Sequence, residues 1–275
     1  MAVIPFSVVT SVYKNDNPEH FKKAMDSLLN QTVLPSEIVL IIDGPIPAEL
    51  DEAVNSYKSN KLFNIVRFEE NKGLGIVLKT GVEIANNELI ARMDSDDISL
   101  PNRFAEQLKY FEEHPRIDIL GGDITEFIDN EENIICKREL PKSDNEIKAF
   151  MKSRSSFNHV TVMYKKSSVL KAGNYQHLAL VEDYYLWLRM MNAGCVFANT
   201  GTVLVNVRMS EDAYRRRSGF KYFKSQLALQ KYMLKNKQIG IISFLMNLAK
   251  RFIVHVLISN KLREFVYKNF ARSEK

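Results

Sequence analysis

The chain has 275 residues, 45% apolar and 26% charged, ordinary proportions for a globular protein with room for one large α/β domain. This composition excludes a disordered, collagenous or disulfide-rich chain, and Cys136 and Cys195, without partners at metal-ligand spacing, read as buried thiols of a reducing compartment. The net charge of +5 is unevenly spread. From Arg208 onward there are 16 Lys and Arg against 4 Asp and Glu, which leaves residues 1–207 at −7, so an acidic body carries a strongly basic tail.

The first residues lack the basic flank, long apolar run and small-residue cleavage site of a signal peptide, which predicts a cytoplasmic protein. FSVVTSV (6–12) is a β-branched apolar run, the pattern of a buried parallel strand. Asn17 and Pro18 form a helix start with proline at the first position, and Phe21, Met25, Leu28 and Leu29 then share one helical face. EIVLIID (37–43) is a second buried strand ending in Asp43, where Gly44 and Pro45 turn the chain. A helix near 48–59 leads to a third strand at 64–68. NKGLG (71–75) opens a helix to about Asn86, and ELIARMD (88–94) is a fourth strand running into Asp94, Ser95, Asp96 and Asp97. Another helix starts at Pro101 and stops near His114 and Pro115.

Strands alternating with helices over short connections predict an α/β fold, a Rossmann-like, mostly parallel sheet with helices on both faces. Ligands of such sheets bind beyond the carboxyl ends of the strands. Asp43, Asp94, Asp96, residues 10–13 and the 71–75 loop all belong there. After residue 116 a mixed or antiparallel extension is expected, with FNHVTVMY (157–164) as a strand, 180–194 as a helix ending at Gly194, and VLVNVR (203–208) as a last strand. One continuous catalytic domain over 1–210 is the expectation, followed by a basic helical tail over 211–275.

Asp94, Asp96 and Asp97 place three carboxylates within four residues, a costly concentration of like charge unless a cation answers it. Mn²⁺ or Mg²⁺ suits such a set, because either ion takes a few carboxylate oxygens and completes its shell with substrate phosphates. An EF-hand does not fit, since Ile98 and Ser99 stand where its acid and glycine belong. Asp97 suits an N-cap for the helix near Pro101. NKGLG offers small residues and amides near phosphates, but a plain tight turn explains it equally well, and Leu78 replaces the third glycine of a dinucleotide fingerprint. Glu182 and Asp183 begin a helix: either they favour its dipole, or one of them is a general base. His159 on an apolar run reads as a core histidine, and Trp187 as packing.

Taken together, Thr10, Ser11, Val12 and Tyr13, Asp43 after an apolar strand, NKGLG, ARMDSDD with Pro101 following, and VEDYYLWLRM resemble the family 2 glycosyltransferases of GT-A fold. The similarity covers roughly residues 5–208 and is nearest to bacterial enzymes that build O-antigen, capsule or exopolysaccharide units. It implies a UDP-sugar donor, with Asp43 on the uracil ring, Thr10, Ser11 and Tyr13 lining the nucleotide, and Lys72 and Gly73 completing the donor site. It implies Asp94 on ribose or sugar and near the metal, Asp96 as metal ligand, and Asp183 as the base of an inverting transfer. Arg208 is a further candidate, for the leaving diphosphate. Lys79 stands where relatives commonly carry Asn. The Gln/Arg-x-x-Arg-Trp motif of processive synthases is absent after Asp183, which implies that a single sugar is added.

In the tail, Arg215, Arg216, Arg217, Lys221, Lys224, Lys231, Lys235 and Lys237 interleave with aromatic and aliphatic residues, and Lys250 and Arg251 interrupt an apolar stretch too short to cross a bilayer. Amphipathic helices lying on an anionic leaflet fit this pattern, as do helices packed on the body with a solvated basic face. A peripheral position on the inner face of the cell membrane suits a glycan or lipid-diphosphate-linked acceptor. Nucleic acid is not an expected partner, because the body is acidic and carries no nucleic-acid motif. A sugar-phosphate nucleotidyltransferase lacks its Gly-rich loop here, as residues 10–16 show, and a non-catalytic nucleotide-sugar-binding module is the non-enzyme alternative.

Overall fold

The computed structural model describes residues 4–209 and 219–258. Four parallel strands, β1 (Phe6–Val12), β2 (Glu37–Ile42), β3 (Phe63–Arg67) and β4 (Leu89–Arg92), lie in the order β3-β2-β1-β4. Between them run α1 (Pro18–Leu29), α2 (Ala48–Asn55) and α3 (Leu74–Ile84). All six residues of β2 are buried, which is why its sequence is apolar from Ile38 to Ile42, whereas no residue of β3 at the sheet edge is fully buried. The Asn17 side chain accepts from the amides of Glu19 and His20 and so opens α1.

Beyond β4 the sheet becomes mixed. β8 (Met163–Lys165) runs antiparallel to β4 and to β6 (Ile119–Phe127). β6 then pairs parallel with β9 (Phe197–Arg208), and β5 (Ile98–Ser99) closes on β9 in the antiparallel sense. β7 (Ile134–Arg138) forms a hairpin on β6. Residues 157–164 are not one strand. The Thr161 and Asn158 side chains bond both backbone groups of Gly122 (Gly122 N to Thr161 Oγ1 3.0 Å, Asn158 Nδ2 to Gly122 O 2.8 Å), replacing ladder bonds and folding His159–Thr161 into a 3₁₀ turn ahead of a short β8. β9 begins at Phe197 rather than 203. α5 (Asp144–Met151), opened by a Ser143 and Glu146 capping box, and α6 (Lys166–Lys171) join α4 (Arg103–Glu113) and α7 (Glu182–Asn192).

Successive residues of β1 face opposite layers. Phe6, Val8 and Val12 pack with Phe21, Met25, Leu50 and Phe104 on one side of the sheet. Val9 packs with Val77, Val82, Ile90 and Trp187 on the other. That second core also takes in Tyr222, Leu229, Met233 and Ile239 from α8 (Gly219–Lys235) and the turn before α9 (Ile241–Phe252). The tail segment with Arg215, Arg216 and Arg217 lies outside the described residues. Both cysteines are free and buried, as the sequence predicts.

Gly81 sets how closely α3 lies on β1, because an added Cβ would stand 2.4 Å from Val9 Cγ1. Helix propensity alone favours Gly81→Ala by about 1 kcal/mol. Overpacking costs about 1–3 kcal/mol, so the variant is expected to unfold at lower urea concentration than the wild type. An unchanged or higher midpoint would show that the approach is looser.

Candidate active site

β1, β2 and β4 end at one edge of the sheet, with Val12 opposite Ile42 and the Met93 amide bonding Val9 O (3.2 Å). The acidic turn 94–97 leaves β4 there and passes into β5. Asp97 is buried and accepts the backbone N–H of Arg208 at 2.8 Å, so the last residue of β9 clamps the turn. Asp97 therefore does not cap α4, whose Asn102 cap position carries no side-chain bond. The Asp94 carboxylate is ion-paired through Oδ1 to the buried Arg92 guanidinium. Nε and Nη1 of Arg92 have no hydrogen-bond partner among the described residues.

A fourth carboxylate joins these three. Asp16 Oδ2 accepts from the Tyr13 amide (3.1 Å) and from Ser95 Oγ (2.8 Å), tying the loop after β1 to the acidic turn. Burial, with the charges of Asp94 and Asp16 added, pushes the Asp96 carboxyl up to about 6. Burial and the charges of Asp96 and Asp94 likewise raise Asp97. Arg208 approaches from the other side. Its Nε donates to Asp96 O (3.2 Å) and its Nη1 to Asp129 O (3.0 Å), while the guanidinium lies 4.6 Å over the Phe127 ring. Its Nη2 has no hydrogen-bond partner among the described residues.

This donor set fits a hard divalent cation: it is all carboxylate oxygen, and burial, with the charges of Asp94 and Asp16 second, raises Asp96, a penalty that a bound cation would offset. Among the described residues no three His, Cys, Asp or Glu side chains form a cage. Asp94 and Asp96 are the residues that would hold the cation.

Asp43, at the end of β2, is 6% exposed and spends three acceptor sites on the next loop. Its carboxylate takes the amides of Lys72 (2.7 Å) and Gly73 (3.0 Å) and Asn71 Nδ2 (2.9 Å). Gly44 makes this possible, since its φ is +84° and a Cβ there would sit 2.6 Å from the Asn71 amide. The Lys72 and Gly73 amides are thus committed to Asp43, which favours the tight-turn reading of 71–75 over amides offered to phosphates. Lys72 is exposed, with Nζ 5.2 Å over the Phe68 ring. Thr10 is fully buried, whereas Ser11 and Tyr13 are partly exposed.

The amino end of α7 meets this corner along two routes. An added Cβ on Gly75, the second residue of α3, would lie 3.1 Å from Glu182 Cγ. The phenol of Tyr175 also lies within electrostatic reach of both Arg92 and Asp183. Glu182 is buried and its carboxyl raised, by burial first and the Asp183 charge second, whereas Asp183 is partly exposed. Leu180, just before them, has φ +68°, a left-handed backbone costing about 1–2 kcal/mol in a residue with a Cβ. Behind lies an aromatic wall: His159 Nε2 bonds Tyr175 Oη (2.9 Å), and Trp187 packs on His159, Tyr175 and Phe157. His159 and Trp187 are core residues, as the sequence suggests.

A sequence model described as "Glycosyl transferase family 2" matches residues 7–176. The chain belongs to that family. Among its relatives, the amylovoran biosynthesis glycosyltransferase AmsE of Erwinia amylovora is 37% identical, over 96% of this chain and 98% of its own. The UDP-Gal:alpha-D-GlcNAc-diphosphoundecaprenol beta-1,3-galactosyltransferase of Escherichia coli is 34% identical, over 97% and 96%. In fold, this glycosyltransferase is similar to S. aureus TarS 1–349 solved with UDP-GlcNAc, with a TM-score of 0.66 at 16% identity, over 96% of this chain and 75% of that one. A mannosyltransferase of Pyrobaculum calidifontis, solved with GDP-Man and Mn²⁺, matches with a TM-score of 0.61 at 14% identity, over 94% and 71%. The fold is thus GT-A, and family membership sets aside the nucleotidyltransferase alternative. Two residues of this glycosyltransferase escaped the sequence reading, Asp16 and Arg92. Each had a signal: an acid just past the end of β1, and a charge inside the buried run of β4.

A carboxyl raised by folding favours the folded state when protonated, and that contribution is lost as pH rises from about 4 through about 6. EDTA-stripped Asp96→Asn is therefore expected to melt several degrees above the wild type at pH 7.5, with the gap roughly halved at pH 5 and closed near pH 4. A lower melting temperature at pH 7.5 would contradict the electrostatic account.

Proposed function

We propose that this family 2 member transfers a single sugar, with inversion, from a UDP-sugar to the hydroxyl of a lipid-diphosphate-linked glycan in surface-polysaccharide synthesis. The observation that supports this reading is the carboxylate turn at the end of β4, where Asp94 pairs with buried Arg92 and Asp96 stands beside it, in a chain of this family. The acceptor class is supported by the E. coli relative, whose acceptor carries a diphosphoundecaprenol.

The chemistry follows from where the groups sit. Ser11, Tyr13 and Asp43 line the nucleotide, with the Thr10 backbone beneath them. The Asp43 carboxylate has about four acceptor sites, so one remains for a uracil N–H after the loop has taken three. Lys72 and Gly73 form the lip of this pocket. Asp94, oriented by Arg92, and Asp96 hold Mn²⁺ or Mg²⁺, which when bound supplies Lewis-acid charge to the departing diphosphate. Arg208, whose Nε donates to Asp96 O, adds a second positive charge beside the acidic turn for the leaving diphosphate. Asp183 takes the proton of the acceptor hydroxyl as its oxygen attacks the anomeric carbon opposite the leaving UDP, in one displacement. The basic tail, residues 211–275, holds the enzyme at the inner face of the membrane, where such an acceptor resides.

A positioned base is typically worth about 10²–10⁴ in rate. Asp183→Asn is therefore expected to lose turnover by that factor in a UDP-release assay with Mn²⁺, while UDP affinity stays within about twofold. Unchanged turnover would refute the assignment and favour a module that binds nucleotide sugars without catalysis.

A further inference from the structure

The tail helices have two unlike faces. Their inner side is built into the protein: Asn247 Nδ2 bonds Lys152 O (2.8 Å) and Gln230 Oε1 (3.0 Å), and Arg251 reaches Gln226 Oε1 (2.6 Å) and Ser153 O (2.7 Å). Tyr222 stacks edge-on to His255, and Phe223 to Phe252. The outer side of α9 and of the turn Ile253–Leu257 that continues it is apolar instead. Ile242, Leu245, Met246, Ile253 and Leu257 recur at helical spacing, and each is about half exposed or more, Ile242 at 71%.

Charge tells what covers this face. Residues 219–258 contain no Asp or Glu, but carry six lysines and Arg251. On α8, Lys221, Lys224, Lys231 and Lys235 are all exposed and recur at spacings of three, seven and four, which makes one basic row. Apolar side chains on a segment whose exposed charges are all lysines, Lys250 on α9 itself among them, match the boundary of an anionic bilayer, with acyl chains under the apolar face and lipid phosphates drawn by the lysines. α9 has 12 residues and no described helix is long and apolar enough to cross a membrane, so it lies along the surface.

We infer that the outer face of α9, on a segment that carries exposed lysines and no acid, docks this protein on an anionic lipid leaflet. The inference deepens the function proposed above by saying how a lipid-linked acceptor meets the base. Arg251, on the inner side of α9, also lies against the phenol of Tyr184, the residue after Asp183. One helix layer, about 10 Å, thus separates the leaflet from the turn carrying the base, within reach of a diphosphate-linked sugar standing in the headgroup zone.

The test uses the full chain and a triple variant, Ile242→Gln, Leu245→Gln, Met246→Gln, sedimented with phosphatidylglycerol-containing or pure phosphatidylcholine vesicles. Wild type is expected to bind the anionic vesicles, less so at high salt. The triple variant should bind at least tenfold more weakly, with unchanged melting temperature and unchanged UDP release on a soluble acceptor, yet lose transfer to an acceptor embedded in vesicles. Equal vesicle binding by both proteins would overturn the inference. So would a dimeric wild type made monomeric by the variant without vesicle binding, since a second copy then covers the face. A fall in melting temperature with unaltered vesicle binding would overturn it too, as another part of this chain then covers it. Absence of UDP release from both proteins, with the vesicle results as expected, would refute the transferase mechanism and leave the docking surface standing.

Discussion

Like charge packed at one end of β4 is the constraint around which the rest of the molecule is arranged. Asp94, Asp96 and Asp97 share a single turn, Asp16 is drawn to it by Ser95, and Arg92 and Arg208 stand against them. Each neighbour relieves part of the strain. Arg92 pairs with Asp94 from inside the core and the Arg208 amide bonds Asp97, yet burial and the shared negative charge still hold Asp96 and Asp97 above the usual carboxylate range. Such a corner is stable enough to fold and poor enough in positive charge to welcome a cation. Function here is stored as unrelieved electrostatics.

The surrounding fold supplies rigidity rather than chemistry. Parallel strands bring three loop ends to one edge, and the antiparallel return of β9 onto β5 pins the acidic turn from outside. Asp43 fixes the 71–73 loop with three bonds, and that loop leads into the turn of α3 that abuts Glu182. The end of β2 and the start of α7 are therefore connected through short runs of packed backbone. The tail helices extend the same logic: Tyr222, Leu229 and Met233 enter the core that contains Trp187 and Tyr184, so a surface formed by α9 moves as one body with α7.

Much of this was legible in the sequence, for a physical reason. Strands buried on both faces must be apolar throughout, so β1, β2 and β4 announce themselves, and carboxylates at their ends stand out against that background. The unread parts share the opposite property, in that polar side chains take over work normally done by the backbone. Thr161 and Asn158 bond Gly122 and break an apolar run that otherwise looks like a strand. Asn199 hides the first half of β9 because its amide is satisfied by Pro141 O and Ser156 O, making a polar residue acceptable inside the sheet. The tie of Asp16 to Ser95 spans 79 residues, a distance over which no local pattern carries information. The fit of Asp43 to loop 71–73 was equally invisible, since it depends on a left-handed Gly44.

The central claim is that the carboxylates closing β4 bind nucleotide through a cation and repel it otherwise. Calorimetric titration of UDP into EDTA-treated protein and into the same protein with Mn²⁺ tests this most directly. The account predicts that UDP affinity rises at least a hundredfold with Mn²⁺. Equal affinity in the two titrations would contradict it.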